Sequence, residues 1–186
     1  MRFACIDIGS NTTRLLVADV EDERLREVAA RRHFTQIGAS LDPDRRIPAL
    51  KLAEVAGLAG QLAAQAREHG AREVAAVATA AVRLATNGRE LANAVQAAAG
   101  VPLRVLSGHQ EAELSFAGAS RAVGAIDGTL AVVDVGGGST EIAVGTAARG
   151  VQWAELIPIG SSVLRERHLC DDPPRLPRRS KPHTLP

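Results

Sequence analysis

One short motif occurs twice in this chain. At residues 6–17 and again at residues 133–144, an acidic residue near the end of an apolar run is followed by a glycine-bearing turn, hydroxyl side chains and a second apolar run. The acid, the first glycine and the last threonine of the two copies match in register: Asp7 with Asp134, Gly9 with Gly136, and Thr13 with Thr140. A single copy is typical of an ordinary β-hairpin. Two copies in register predict two strand–loop–strand units that bind the same kind of ligand.

The composition of the motif favours an anionic ligand. Glycine tolerates positive φ angles and close approach, so a glycine-bearing loop can point successive backbone N–H groups at one anion, and hydroxyl side chains add donors. The acid beside each loop can hold a metal ion that phosphate oxygens share, or it can instead cap its own turn. Two such loops in one chain indicate a polyphosphate or a nucleotide bound between two lobes.

The composition sets the class of protein. With 186 residues, 46% hydrophobic residues and a formal net charge of +1, the chain has the length of one full domain and part of another, and no basic bias toward nucleic acid. Aromatic residues make up only 2%, so the core is expected to consist of Ala, Val, Leu and Ile. We expect a cytoplasmic protein without a signal peptide or membrane span, in which Cys5 is buried and reduced.

The hydrophobic periodicity predicts an α/β fold. The predicted strands lie at residues 3–7, 14–19, 24–33, 73–79 and 103–106, with a polar turn at 21–22. A helix is predicted at 52–66, a second begins after Asn87 with Glu90 three residues later, and a third begins with a Ser107–Gln110 capping box and reaches about Val123. The order βββαβαβα is that of one lobe of the actin-like ATPase (ribonuclease-H-like) fold.

The second copy of the motif starts the same strand order again. Strands are predicted at 130–135, 141–145 and 151–156, with Trp153 in the core. We therefore predict a first lobe at 1–124 and an incomplete second lobe at 125–169. Residues 170–186 are rich in Pro and Arg and are expected to be disordered.

Five segments resemble the exopolyphosphatase and guanosine-pentaphosphate phosphohydrolase (Ppx/GppA) family. They are Asp7-Ile8-Gly9-Ser10-Asn11, Thr79-Ala80-Ala81-Val82-Arg83, Ser107-Gly108-His109-Gln110-Glu111-Ala112, residues 133–141 and Pro158-Ile159-Gly160-Ser161. They follow the family's order from residue 1 to about 169. The resemblance implies that a terminal phosphoryl group is hydrolysed from polyphosphate or from guanosine pentaphosphate (pppGpp), with Mg²⁺, in a cleft between two lobes.

The resemblance also assigns roles to residues. Glu111 matches the catalytic glutamate, a general base that takes a proton from the attacking water, and Arg83 matches an arginine that reaches phosphate oxygens. Asp7 and Asp134 are expected to hold Mg²⁺. The phosphate-binding residues implied by the match are Gly9, Ser10, Asn11, Thr12, Gly136, Gly137, Gly138 and Ser139. The residues alone leave two alternatives open: Glu111 as a first-turn acid favoured by the helix dipole, and Arg83 as an exposed partner in a salt bridge.

The chain departs from the family in two respects. Gln110 and Glu113 stand where the family commonly has an acid and an arginine. Family chains also continue well beyond this length, and the residues after Pro174 do not look familial, as expected after a frameshift or an early stop.

Two rival functions follow. One is an inactive fragment that only binds phosphate or nucleotide, with an apolar patch around Ile142, Val144 and Leu156. The other is an ATPase or kinase of the same fold. The histidines have no metal-ligand spacing, so no zinc site is expected. No nucleic-acid or membrane partner is expected, and a homodimer stays open.

Overall fold

Two β-sheets, each opened by one copy of the repeated motif, organise the chain. The structure is a computed structural model that describes residues 1–21, 24–124 and 127–169. Five strands form the first sheet, and three form the second. The predicted disordered segment 170–186 and half of the predicted turn at 21–22 lie outside the described residues.

The first sheet begins with the predicted three-stranded meander. Strands β1 (Arg2–Ile8), β2 (Thr12–Glu21) and β3 (Arg24–Phe34) are antiparallel neighbours. Strands β4 (Glu73–Ala78) and β5 (Leu103–Val105) then add on the other side of β1 in parallel, which gives the order β3-β2-β1-β4-β5. Parallel addition through crossover helices is the topology of the actin-like lobe that the element order predicts.

Two long helices cover one face of this sheet. They are α2 (Ala49–Glu68) and α4 (Gly88–Ala99), and they pack against each other as well as against the strands. The completely buried side chains of this core are Ile, Leu, Val and Ala, as the composition indicates. Three short or late helices were not predicted: α1 (Ile37–Ser40), α3 (Ala80–Leu84) and α6 (Ser161–His168).

The predicted caps have different outcomes. Helix α5 (Gly108–Val123) begins with the predicted reciprocal pair, in which Gln110 N donates to Ser107 Oγ at 3.2 Å and Ser107 N donates to Gln110 Oε1 at 3.1 Å. Helix α4 begins at Gly88 as expected, but Asn87 does not cap it with its side chain. Asn87 instead accepts from Ile47 N at 2.8 Å and donates to Ile47 O at 3.1 Å. The buried backbone N–H and C=O of Ile47 need hydrogen-bond partners, and they bind the Asn87 amide in preference to the N-terminus of α4.

Strands β6 (Leu130–Val135), β7 (Thr140–Thr146) and β8 (Gly150–Ile157) form the second sheet as an antiparallel meander. Helix α5 lies on one face, where Ala112, Phe116 and Ala143 form a small buried cluster. The sequence analysis placed α5 within the predicted first lobe, 1–124, whereas its buried face contacts the second sheet. The lobe boundaries themselves stay a prediction.

The other face of the second sheet is apolar and exposed. Val133 and Val135 lie there, and Trp153 is 51% exposed, so the expectation that Trp153 belongs to the core is wrong. Leu156 belongs to the opposite face, where it packs against Gly108 at the start of α5. No helix within the described residues is long and apolar enough to cross a membrane.

Candidate active site

The two loops of the repeated motif have the same turn. In the first, Gly9 N donates to Thr12 O at 2.9 Å, and in the second, Gly136 N donates to Ser139 O at 2.9 Å. The sequence repeat is therefore a structural repeat, with one identical hydrogen bond closing each loop.

Other segments hold the loops in place. Gly38 N donates to Ser10 O at 2.9 Å, and Ala81 N donates to Ser10 Oγ at 3.1 Å, so α1 and α3 fix the first loop. At the start of α6, Ser161 N donates to Gly136 O at 2.9 Å and Ser162 N to Gly137 O at 3.0 Å. Three helices that the sequence did not predict thus position the two loops.

The loops contact each other. A Cβ atom built on Gly138 would stand only 2.5 Å from Ser10 Oγ, and one on Gly137 would stand 3.1 Å from Asn11 Cβ. Glycine at position 138 allows this close approach, because a Cβ there would require Ser10 to move, and at Gly137 a Cβ would require a smaller adjustment.

A cleft of about 260 Å³ opens between the loops. It is lined by residues of both sheets and of α5: Asp7, Gly9, Ser10, Asn11, Thr12, Arg14, Arg32, Phe34, Thr79, Glu111, Asp134, Val135, Gly136, Gly137, Gly138 and Ser161. Seven of the eight loop residues predicted to bind phosphate are among them. Ser139 is not, because its buried hydroxyl donates to Glu141 Oε1 at 2.5 Å.

Three carboxylates line the cleft: Asp7, Glu111 and Asp134. Burial raises the pKa of Asp7 to about 6; Arg14 opposes this shift, and Glu111 and Asp134 add to it. Asp7 Oδ1 is buried and has no hydrogen-bond partner among the residues that the structure describes. An acid in this state favours a proton or a cation beside it, since water does not reach the unpartnered oxygen.

Arg83 contacts the predicted catalytic glutamate. Its Nη1 donates to Glu111 Oε2 at 2.9 Å and also to Leu106 O at 2.9 Å. Both side chains of this ion pair are largely buried. Arg83 does not line the cleft, and its ion pair supports a role in positioning Glu111. The expected direct contact of Arg83 with phosphate stays a prediction. The alternative, in which Arg83 is an exposed partner in a salt bridge, is correct about the salt bridge and wrong about its exposure.

The comparisons with known proteins decide the family. The model of the Ppx/GppA phosphatase family matches residues 16–180. The chain belongs to this family. A Streptomyces coelicolor protein is 37% identical over 170 residues, which are 91% of this chain and 50% of that protein.

Two solved structures have the same architecture as this Ppx/GppA chain. The Aquifex aeolicus family member is 31% identical with a TM-score of 0.80, and the match covers 94% of this chain and 56% of that one. An exopolyphosphatase from Cytophaga hutchinsonii is 27% identical with a TM-score of 0.82, covering 94% and 56%. The predicted actin-like fold is confirmed. The chain spans about half the length of these relatives.

One acid next to this Ppx/GppA site was not predicted from the sequence. Glu141 is only 2% exposed, and burial raises its pKa; the hydrogen bond from Ser139 opposes the shift, while Glu111 and Asp134 add to it. Its strand partner is Asp134, just as the partner of Asp7 is Arg14. Extending the sequence repeat to its seventh position after the acid would have identified both Arg14 and Glu141.

Besides Arg14, five residues that line the cleft were not predicted as site residues: Arg32, Phe34, Thr79, Val135 and Ser161. Arg32 and Phe34 reach it from β3, and Thr79 reaches it from the end of β4. Nothing in the local sequence marks Arg32 and Phe34, because the pairing of β2 with β3 brings them beside the loop, whereas Thr79 opens one of the five segments that resemble the family. Arg32, Phe34 and Thr79 extend the site beyond the repeated motif.

Asp7 and Asp134 could supply part of the ligand shell of a magnesium ion. Within residues 1–21, 24–124 and 127–169, no group of three or more His, Cys, Asp and Glu side chains could hold a metal by itself. Mg²⁺, however, usually takes one or two carboxylates and completes its shell with water and substrate phosphate. Asp7 offers an unpartnered oxygen, and Asp134 accepts one hydrogen bond, from Ser115 Oγ at 2.5 Å. This donor set suits Mg²⁺ only together with a phosphate.

Proposed function

We propose that this chain supplies the catalytic centre of a hydrolase that removes the terminal phosphoryl group from inorganic polyphosphate or pppGpp. The observation that carries the proposal is the pair of identical loops in contact across the cleft, with Glu111 between them. Family membership supports phosphatase chemistry, and the choice of substrate, the metal and the activity of this half-length chain are part of the proposal.

The loops bind the substrate's terminal phosphate. Backbone N–H groups of glycine-bearing turns suit phosphate oxygens, because they bring partial positive charge close without side chains between. Asp7 and Asp134 would hold Mg²⁺, which neutralises charge on the phosphates when bound. The unpartnered oxygen of Asp7 supports this assignment.

Glu111 acts as the general base. Its carboxylate accepts a proton from water as the water oxygen bonds to the terminal phosphorus. The bond from that phosphorus to the bridging oxygen breaks, and the shortened chain leaves with the bridging oxygen and its electron pair. Arg83 keeps the carboxylate oriented through their ion pair. Such a base contributes about 10² to 10⁴ in rate.

Phosphate release from polyphosphate and pppGpp tests the proposal. Glu111→Gln should lower kcat by about 10² or more with little change in KM, because the base acts only in the transition state. Glu113→Gln is the matched control, since this residue lies on the same helix outside the cleft lining, is half exposed, and pairs its carboxylate with His109 at 3.4 Å. Equal rates for Glu111→Gln and the unmodified chain would refute the catalytic role.

A second candidate is binding without turnover. The exposed apolar face with Val133, Val135 and Trp153 favours it, because the sheet that carries Asp134 and the second loop has one apolar face without cover, which is typical of a surface that contacts another chain or segment. Calorimetry that finds Mg²⁺-dependent polyphosphate binding, with no phosphate released, would establish this function instead.

A further inference from the structure

A row of charged side chains crosses the first sheet, from the base of the cleft to the sheet's edge. Asp7, Arg14 and Arg32 are direct register partners on β1, β2 and β3, and all three line the cleft. Register partners on antiparallel strands are about 5 Å apart between Cα atoms, so Arg32 lies about 10 Å from Asp7. The row therefore leads away from the two loops, along the β2–β3 hairpin.

Arg14 and Arg32 repel each other when no anion lies between them. Like charges directly opposite on neighbouring strands are destabilising. Within the described residues, neither guanidinium forms an ion pair with a carboxylate. Arg14 Nε donates only to the Thr12 hydroxyl, at 3.3 Å. An anion between the two guanidinium groups would replace this repulsion with two attractions.

Phe34 holds Arg32 in position. The guanidinium carbon of Arg32 lies 5.4 Å from the centroid of the Phe34 ring. The ring is 65% exposed, and its strand partner is Thr12 of the first loop. A cation–π contact at this distance limits the rotamers of the arginine. The exposed Phe34 ring thus holds the positive charge of Arg32 beside the cleft.

We propose that Arg32, held over Phe34, is a distal subsite for phosphate groups beyond the bond that is cleaved. The inference rests on the proposed function, and it makes the chain selective for anions of several linked phosphates. The planar guanidinium fork suits two phosphate oxygens. Pyrophosphate bound at the loops is too short to gain from Arg32, whereas a long chain leaving the cleft along the row contacts it.

Calorimetric titration in Mg²⁺ with pyrophosphate, long-chain inorganic polyphosphate and pppGpp tests the subsite. Arg32→Gln should weaken polyphosphate binding about five-fold, the upper range for an exposed charge contact, and leave pyrophosphate binding unchanged. Phe34→Leu should weaken polyphosphate binding about two-fold, through loss of the cation–π contact. Arg31→Gln is the control: it removes the same charge one residue away, from a side chain that bonds only to the neighbouring Ala30 carbonyl and does not line the cleft.

Each other outcome overturns the inference in a distinct way. Equal losses for pyrophosphate and polyphosphate in Arg32→Gln would place the arginine at the loops rather than beyond them. Unchanged polyphosphate binding in Arg32→Gln, with the unmodified chain still binding both probes, would remove the subsite and leave the proposed function standing. A Phe34→Leu loss specific to pppGpp would assign the ring to a nucleobase. Failure of the unmodified chain to bind any probe would remove the proposed function and the subsite together.

Discussion

Asp7→Asn should stabilise the metal-free protein at neutral pH. Asparagine has nearly the shape of aspartate and keeps Oδ1 in its buried position, so the change removes the charge and replaces the other carboxylate oxygen by an amide nitrogen. The pKa of Asp7 rises from an ordinary 3.8 to about 6 in the folded protein, mainly because of burial. At ~1.36 kcal/mol per pH unit, the ionised carboxylate destabilises the fold by about 3 kcal/mol.

The pH dependence follows from the same shift. Because the folded pKa of Asp7 is raised, the folded chain binds a proton more tightly than the unfolded chain does between the two pKa values. Below pH ~4 Asp7 is protonated in both states and does not destabilise the fold. The free energy of unfolding then falls as the pH rises toward about 6, and above that pH it no longer changes because of Asp7. The advantage of Asp7→Asn is about 3 kcal/mol at pH 7.5 and shrinks to about 1 kcal/mol at pH 4.5.

Urea denaturation with a chelator present, at both pH values, measures this difference. Asp44→Asn is the control, since Asp44 is an exposed carboxylate outside the cleft. Added Mg²⁺ should then raise the stability of the unmodified chain and not that of Asp7→Asn, because only ligand bound to the folded state stabilises it. An Asp7→Asn variant that is less stable than the unmodified chain at pH 7.5, or equally shifted at both pH values, would refute the reasoning.

Two further substitutions probe the loops and the core. Gly138→Ala should weaken pyrophosphate binding about ten-fold or more while changing the melting temperature little, since its new Cβ would collide with Ser10 Oγ and separate the loops. Calorimetry measures the binding, and a thermal melt distinguishes its loss from global unfolding. Unaltered binding would contradict the contact between the loops. Asn87→Ala should destabilise the fold by about 2 kcal/mol, because the Ile47 N–H and C=O would lose their partner in a buried setting. Asn93→Ala on the exposed side of α4 should change stability by less than ~0.5 kcal/mol, and similar urea midpoints for the two variants would argue against the role of Asn87.

Local patterns predicted the elements that carry strong periodicity. The alternation of β1, β2 and β6 and the apolar face of α2 are local signals, and all four elements form. The Ser107–Gln110 cap is equally local, and it forms as predicted. Asn87 has the same local signal but a competing partner 40 residues earlier, at Ile47, which only the tertiary structure provides. Helices α1 and α3 are too short for a periodic pattern to mark.

The site was predictable to the extent that it repeats. The acids and glycines of the two loops follow from comparing the copies, and their placement around one cleft agrees with that comparison. The pairing of Arg83 with Glu111 links residues 28 apart and depends on how α3 and α5 meet, so no local pattern indicates it. The expected burial of Trp153 failed for a similar reason: an apolar strand does not reveal which of its faces a helix covers.

The repeat also bears on how the cleft would attract and activate phosphate in the proposed function. The two loops share their closing hydrogen bond, but the strand partner of the acid is Arg14 in the first copy and Glu141 in the second. The first copy thus faces the cleft with a cation beside its acid, while the second places the buried acid Glu141 beside Asp134. Glu111 lines the cleft together with Asp7 and Asp134, and its charge raises the pKa of Asp7 and of Glu141 alike. Because the residues at one register position give the two loops different charges, the proposed function has the anion bind from the arginine side, with the carboxylates placed where a cation and the attacking water would be needed.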